Sequence, residues 1–344
     1  TGVTACGLVG DSRSGEEVVD PVTGKSEAWN YQNSPSRFSA LDLTFIRNYE
    51  ELHSGEVQRH NMDGTPRVNE NDEPVMVSLN VGESEIKPWP ASYWPMQKDG
   101  YNYRWLGKEV LSPVEKWDKV YNGWVPPEGF MELRPFSSPS DEFDKEYYEK
   151  LGPAASWAHM NGGNRDAVEH VPNPEDPEDD PWGGLESWFG HCHAWAPAAI
   201  SEEEPLKAVE VDGVRFEVAD IKALVMAQYE GMASVFLGGR CNDKEVERDE
   251  HGRIKDTVGG FFSPATACRD TNPGAFHVIT VNMLGRYGRS FVVDVSYGYQ
   301  VWNHPVLSYE ITHQEKFDDV QKALSLLPGS PTGEEYLYND KAVS

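Results

Sequence analysis

One cysteine sets the strongest constraint on this chain. Cys192 lies in Trp188-Phe-Gly-His-Cys192-His-Ala-Trp-Ala-Pro197, where Gly190 and His191 lead into a run of small residues that suits a helix starting near the sulfur. Its candidate partners come much later: His277 in Phe276-His-Val-Ile-Thr-Val281, and Asp294 in Phe291-Val-Val-Asp-Val295. Both runs read as short strands. A nucleophilic cysteine needs an imidazole as base and a carboxylate to fix the tautomer of that imidazole. A chain with this order has to bring a helix start to an antiparallel sheet, which predicts an α+β fold with the site in the cleft between the two parts.

Asp294 carries independent weight. A carboxylate inside an apolar run is costly to bury without a partner. If the turn lies at Leu284–Ser290, a hairpin places His277 and Asp294 opposite one another. A helix beginning near Cys192 would also aim its first N–H groups and its positive end at the sulfur, lowering the thiol pKa and pre-forming part of an oxyanion hole. The Cys192 N–H and the Trp188 indole are the candidate oxyanion donors, with Trp195 a candidate cleft residue. His191 and His193 adjoin the sulfur and are poorly placed to reach it in line, so they are expected to cap the helix or face solvent. A His191/Cys192/His193 zinc site lacks ligand spacing. The bland alternatives are a small buried cysteine and a satisfied core histidine.

The rest of the chain divides by composition into three regions. Residues 1–85 are polar and peripheral or pro-segment-like, with one helical face, Leu41, Phe45, Tyr49 and Leu52, capped by Ser39. Residues 86–180 are rich in Trp and Pro, as in Pro88-Trp-Pro-Ala-Ser-Tyr-Trp-Pro95. There Ser112-Pro-Val-Glu115 reads as a capping box opening a helix, and 138–160 hold a second helical pattern. The acidic, proline-rich run 170–180 marks the boundary. In the third region, 181–344, Ala208–Val218 reads as a hairpin turning at Asp212-Gly213. Asp220 caps a helix to about Tyr229, 274–284, 290–297 and 305–312 alternate like strands, and 315–327 form a helix.

The net charge is −27, from 30 basic and 57 acidic residues. Nucleic acid and anionic membranes would be repelled, and no apolar run approaches the ~18 residues needed to cross a bilayer. Four cysteines make no disulfide framework. With Cys192 set aside, Cys241 and Cys268 bracket a polar loop and could pair. Asp176, Asp179 and Asp180 of the acidic run offer oxygen ligands that could take Ca²⁺, but match no EF-hand spacing, and a solvated charge run is the competing reading.

The segment Trp188–Ile200 resembles the nucleophile motif of the oomycete transglutaminase elicitor family, which has members in marine vibrios. Tyr299-Gln-Val-Trp302-Asn-His-Pro305-Val306 resembles the family's surface elicitor peptide, whose core is Val-Trp-Asn-Gln-Pro-Val; Pro88–Pro95 and Asp220–Leu224 also resemble family segments. The chain departs from the peptide at His304, Leu307, Ser308 and Glu310. The resemblance implies a secreted protein-glutamine γ-glutamyltransferase of papain-like architecture. It also implies a Cys192–His277–Asp294 triad, Ca²⁺ support of activity, and protein substrates bearing Gln and Lys. Two alternatives remain: a papain-like protease or glutamine deamidase using the same triad, and a non-catalytic recognition or adhesion module with an inert cysteine. A proline cannot donate to a ladder, so Pro305 should lie in an edge strand or exposed connection, with Trp302 packed nearby.

Overall fold

The structure is a computed structural model that describes residues 43–133, 145–161, 176, 185–237, 271, 273–296 and 300–315. Short helices and two-stranded antiparallel sheets make it α+β. It divides into two compact units: 1–88 together with 233–344, and Trp89–Met232. The first boundary falls close to the compositional one at 85. The second does not fall at the acidic run, so Cys192 is grouped with the Trp/Pro-rich region, and among the described residues Leu43, Phe45, Leu52 and Leu79 pack with Val278, Ile279 and Leu284.

In the Trp89–Met232 unit the local signals are obeyed. The helix Pro113–Tyr121 opens with the capping box: Glu115 N donates to Ser112 Oγ at 3.2 Å and Ser112 N to Glu115 Oε2 at 2.7 Å. Val209–Val211 pairs antiparallel with Val214–Phe216 across a tight turn in which Asp212 and Gly213 take φ of 49° and 74°. Two positive φ values in a row are what a type I′ hairpin turn demands. The next helix is Val218–Ala227, capped by Glu217 rather than Asp220. Asp220 sits one turn inside, accepting from Glu217 N at 2.8 Å, Lys116 Nζ at 2.5 Å and Trp105 Nε1 at 2.8 Å. One carboxylate thus closes the capping box from the third helical position and also holds a buried lysine. Arg104 likewise grips Glu115 at 2.9 and 3.0 Å, and the Tyr147 hydroxyl donates to the same carboxylate at 2.8 Å. Trp89, Trp94, Tyr101, Val114, Ala155, Ala198, Ala223 and Met226 form the core.

The other described unit is built on a different plan. Its core gathers Leu43, Phe45, Leu52, Leu79, Val278, Ile279, Leu284, Tyr287 and Phe291. The expected helix over 39–52 is only Tyr49–Leu52, capped by Asn48. Phe45 and Leu52 are buried as its apolar face requires, while Leu41 and Ser39 lie outside the described residues. The strand expected over 274–284 is not a strand. Pro273–Thr280 is an α-helix that runs on as a π-helix, Val281–Arg286. The β-branched run Val278-Ile-Thr-Val281 favoured the strand reading, but a continuously apolar segment has no period that separates strand from buried helix. Asn282, fully buried, fixes the outcome by binding Ile46 through both backbone groups and Val278 O through its amide. Val292–Asp294 therefore pairs with Asn303–Pro305 and not with the segment bearing His277. Pro305 sits in that two-stranded ribbon, where one ladder donor is dispensable. Val81–Glu83 pairs with Ser308–Glu310, and Glu56–Gln58 with Met76–Ser78. Cys6, Cys241 and Cys268, and the helix expected over 315–327 apart from Glu315, lie outside the described residues.

Candidate active site

The helix Cys192–Ser201 starts at the sulfur-bearing residue. Its inward positions are all alanine: Ala194, Ala196, Ala198 and Ala199 are fully buried, which lets the helix pack close to its neighbours. The loop leading into it is strapped to the Trp/Pro-rich segment. His191 N donates to Tyr93 O at 2.6 Å and Met96 N to Phe189 O at 3.0 Å. At the crossing, a Cβ on Gly190 would lie 2.5 Å from Tyr93 O, so only glycine lets the two backbones meet. Trp195 donates its indole N–H to Trp89 O at 2.9 Å, and Trp89 donates to Glu202 O at 3.0 Å. Trp195 thus serves to anchor the helix; its N–H is committed to the fold rather than to an oxyanion. Trp188 lies half-buried in the turn before the helix, edge-on to Phe189.

His191 occupies the N-cap position without a side-chain capping bond, and both flanking histidines turn to a carboxylate instead of solvent. His191, 1% exposed, meets Glu230 Oε1 through Nδ1 at 2.6 Å, and His193 meets Glu230 Oε2 through Nε2 at 2.7 Å. The Tyr101 hydroxyl donates to Oε1 at 2.7 Å. The His191 ring lies on that of Tyr101, 4.1 Å between centroids, and its Nε2 is sealed without a hydrogen-bond partner. Burial alone would raise the Glu230 carboxyl, but hydrogen bonds and charge from both histidines hold it well below the usual carboxylate range. For His193, burial pulls downward, and the Glu230 carboxylate, aided by the Gly190 carbonyl, more than reverses it. Burial, then the Glu230 charge, pushes the Tyr101 phenol well up.

His191, His193 and Glu230 are metal-ligand types with donor atoms within 4.8 Å of one another. Zinc at ~2.0–2.1 Å from each donor would hold those donors about 3.3 Å apart. The observed contacts of 2.6 and 2.7 Å are instead direct hydrogen bonds, and the set lacks the oxygen-rich character Ca²⁺ requires. Of the acidic-run residues expected to bind Ca²⁺, Asp176 is exposed, and Asp179 and Asp180 lie outside the described residues.

His277 and Asp294 belong to the other unit. His277, on the helix Pro273–Thr280, meets His53 Nε2 through its own Nε2 at 2.9 Å. Burial lowers the pKa of both rings, and their mutual proximity lowers His277 further. Asp294, 8% exposed, accepts at Oδ1 from Ser296 N at 3.0 Å, Ser296 Oγ at 2.6 Å and Trp302 N at 2.9 Å. No hydrogen bond joins His277 to Asp294 among the described residues. The expected hairpin is absent because the His277 segment is helical. Asp294 instead ties Ser296 to Trp302, whose half-buried indole donates to Gln300 Oε1 at 3.0 Å. Sequence reasoning missed Glu230 and His53: each works through residues distant in sequence, and no local pattern marks either.

Comparison with known proteins supports the family read from the Cys192 motif. Residues 182–344 match the transglutaminase elicitor family. The matched stretch contains Cys192, His277, Asp294 and the Trp302–Pro305 segment. The crystal structure of the GP42 transglutaminase from Phytophthora sojae is similar at 22% identity and a TM-score of 0.42, covering 84% of this chain and 71% of that one. No curated protein matches the chain. No helix among the described residues is long and apolar enough to cross a membrane.

Proposed function

We propose that the chain is a secreted protein-glutamine γ-glutamyltransferase working through a Cys192 thioester in a papain-like arrangement. The observation that carries this reading is the placement of Cys192 as the first residue of a buried helix, inside the matched family segment. Cys192 passes its thiol proton to a neutral imidazole, and the thiolate attacks the carboxamide carbon of a protein-bound glutamine. The helix-start N–H groups, with the Trp188 indole as second candidate, stabilise the resulting oxyanion, and the helix end contributes about 0.3–1 kcal/mol. The intermediate collapses, the C–N bond breaks, and ammonia leaves with a proton supplied by an imidazolium. A lysine amine then attacks the thioester, gives up its proton to the same imidazole, and forms the isopeptide bond as the thiolate departs.

His277 is proposed as that imidazole. The described histidines of the Cys192 unit each face a carboxylate: His159 meets Asp99, and His191 and His193 meet Glu230. His277, held neutral by burial, is suited to accept a proton. Asp294 is proposed to orient it. Ca²⁺ would add electrostatic support through carboxylate oxygens, and no step here depends on it. Casein with a labelled amine tests the reading. Amine incorporation and crosslinked ladders are expected. Casein cleavage, or glutamate formation without amine incorporation, would replace the transferase with the protease or the deamidase.

A further inference from the structure

Cys192 stands between two histidines, and one carboxylate holds both. Glu230, just beyond the helix Val218–Ala227, accepts from His191, His193 and Tyr101 at 2.6, 2.7 and 2.7 Å. The two ring nitrogens of His193 are each provided with an acceptor, Nε2 with Glu230 and the other with the Gly190 carbonyl. An imidazole with an acceptor at each nitrogen is held with both protons on. Its positive charge then sits on the residue next to Cys192, about 3.8 Å away between Cα atoms. The Tyr101 hydroxyl on Glu230 Oε1 and its ring against His191 close the other side of the cluster.

We propose that Glu230 is a positioning residue for the nucleophile: it clamps His193 as an imidazolium beside Cys192 and so favours the thiolate from within the Cys192 unit. The proposal rests on Cys192 being the nucleophile of the transferase reading. The thiol proton goes to solvent in the free chain and to the proposed base during transfer, and in both cases the balancing charge is already on His193. The same clamp removes His193 as a general base, since neither nitrogen has a lone pair to offer. The other groups facing this region are Tyr101, from the turn Gly100–Asn102, His191, and Tyr93, whose ring abuts Gly190. Lys222, on the packed helix Val218–Ala227, is engaged by Pro90 O at 2.7 Å and Glu204 Oε1 at 2.6 Å.

The test is the pH dependence of Cys192 alkylation by iodoacetamide, read by mass spectrometry on the Cys192 peptide of the full chain. Wild type, Glu230→Gln, His193→Gln and the double variant are compared, with thermal melts to show that each is folded. Losing an opposite charge nearby moves a pKa by about one unit or more. Glu230→Gln should therefore raise the alkylation midpoint by about one pH unit and slow the reaction about tenfold below it. His193→Gln should do the same, and the double variant should shift no further. Glu230→Asp, which keeps the charge, should recover part of the shift. An unchanged midpoint in folded Glu230→Gln, or fully additive shifts, would overturn the proposal. So would stoichiometric zinc binding by the wild-type chain that Glu230→Gln abolishes, because the cluster would then be a metal centre. Should Glu230→Gln fail to fold, His193→Gln decides alone: an unchanged midpoint overturns the clamp and a raised one supports it. A Cys192→Ala chain that still crosslinks casein would remove the functional reading while leaving the alkylation result intact.

Discussion

The two units bury their polar groups by opposite means. Around Cys192 charged groups are matched with opposite charges: Lys116 with Asp220, Arg104 with Glu115, His193 with Glu230. Around His277 the buried polar groups are mostly neutral, as Asn282 on Ile46 is; buried Asp294 and Arg286 are matched to backbone groups, with Ser296 Oγ also on Asp294, and the half-buried His53 and His277 meet each other. Charge pairing keeps a group ionised in a low-dielectric setting, whereas burial beside another imidazole keeps a histidine neutral. The roles proposed above, an anionic Cys192 sulfur and an uncharged His277 base, amount to a division of labour along this difference.

The comparison breaks most severely through the reacting groups. Cys192→Ala should abolish amine incorporation into casein by at least ~10³-fold with an unchanged melting temperature. His277→Ala should slow transfer by about 10²–10⁴-fold yet leave the Cys192 alkylation midpoint in place. A shifted midpoint there would show that the base also sets the sulfur, and the division of labour would be lost.

Breaking one charged pair should cost more than breaking one neutral match. Asp220→Ala strands the Lys116 ammonium, 5% exposed at its side chain, and should cost about 3–5 kcal/mol in chemical denaturation. Asn282→Ala orphans the backbone groups of Ile46 and should cost about 2–3 kcal/mol. Equal losses would mean that charge adds nothing to the first plan.

The two plans should also respond to pH in opposite directions. His53 and His277 have folded pKa values below the ordinary 6.5. Their contribution is intact above 6.5 and shrinks as pH falls from there toward the folded values. His193 has a raised folded pKa, so its contribution is intact below 6.5 and fades as pH rises through the folded value. Melting temperature followed from pH 5 to 8.5 should lose its alkaline decline in His193→Gln and soften its acid decline in His53→Gln. The reverse assignment would contradict the stated environments.

The smallest expected effect is that of Trp302→Ala, about 1 kcal/mol, since the indole is half-buried and its N–H serves a neighbour two residues away. An unchanged melting temperature with lost crosslinking would move Trp302 from the fold to the substrate cleft.

What could be read from the sequence was local. Ser112 with Glu115, Asp212 with Gly213, and the start of the Cys192 helix each depend on residues within a few positions. The proline-limited strand at Pro305 belongs with them. The His277 helix was misread because Val278-Ile-Thr-Val281 carries strand propensity, while the contact that settles the matter comes from Ile46, far away in sequence. Asp220 caps from the third helical position, and its further partners Lys116 and Trp105 lie far away in sequence. Glu230 was invisible for the same reason: nothing beside it announces that two histidines and a tyrosine converge there.

The crossing at Gly190 bears on any effort to transplant this proposed nucleophile. Because the obstacle a Cβ would meet includes the Tyr93 carbonyl and not a side chain alone, trimming Tyr93 cannot make room for another residue at 190. A host scaffold given only the stretch from Trp188 to Pro197 would receive a cysteine without its bearing. The portable part is a pair of distant peptides, Tyr93–Met96 with Phe189–His191, and a designer would have to carry both.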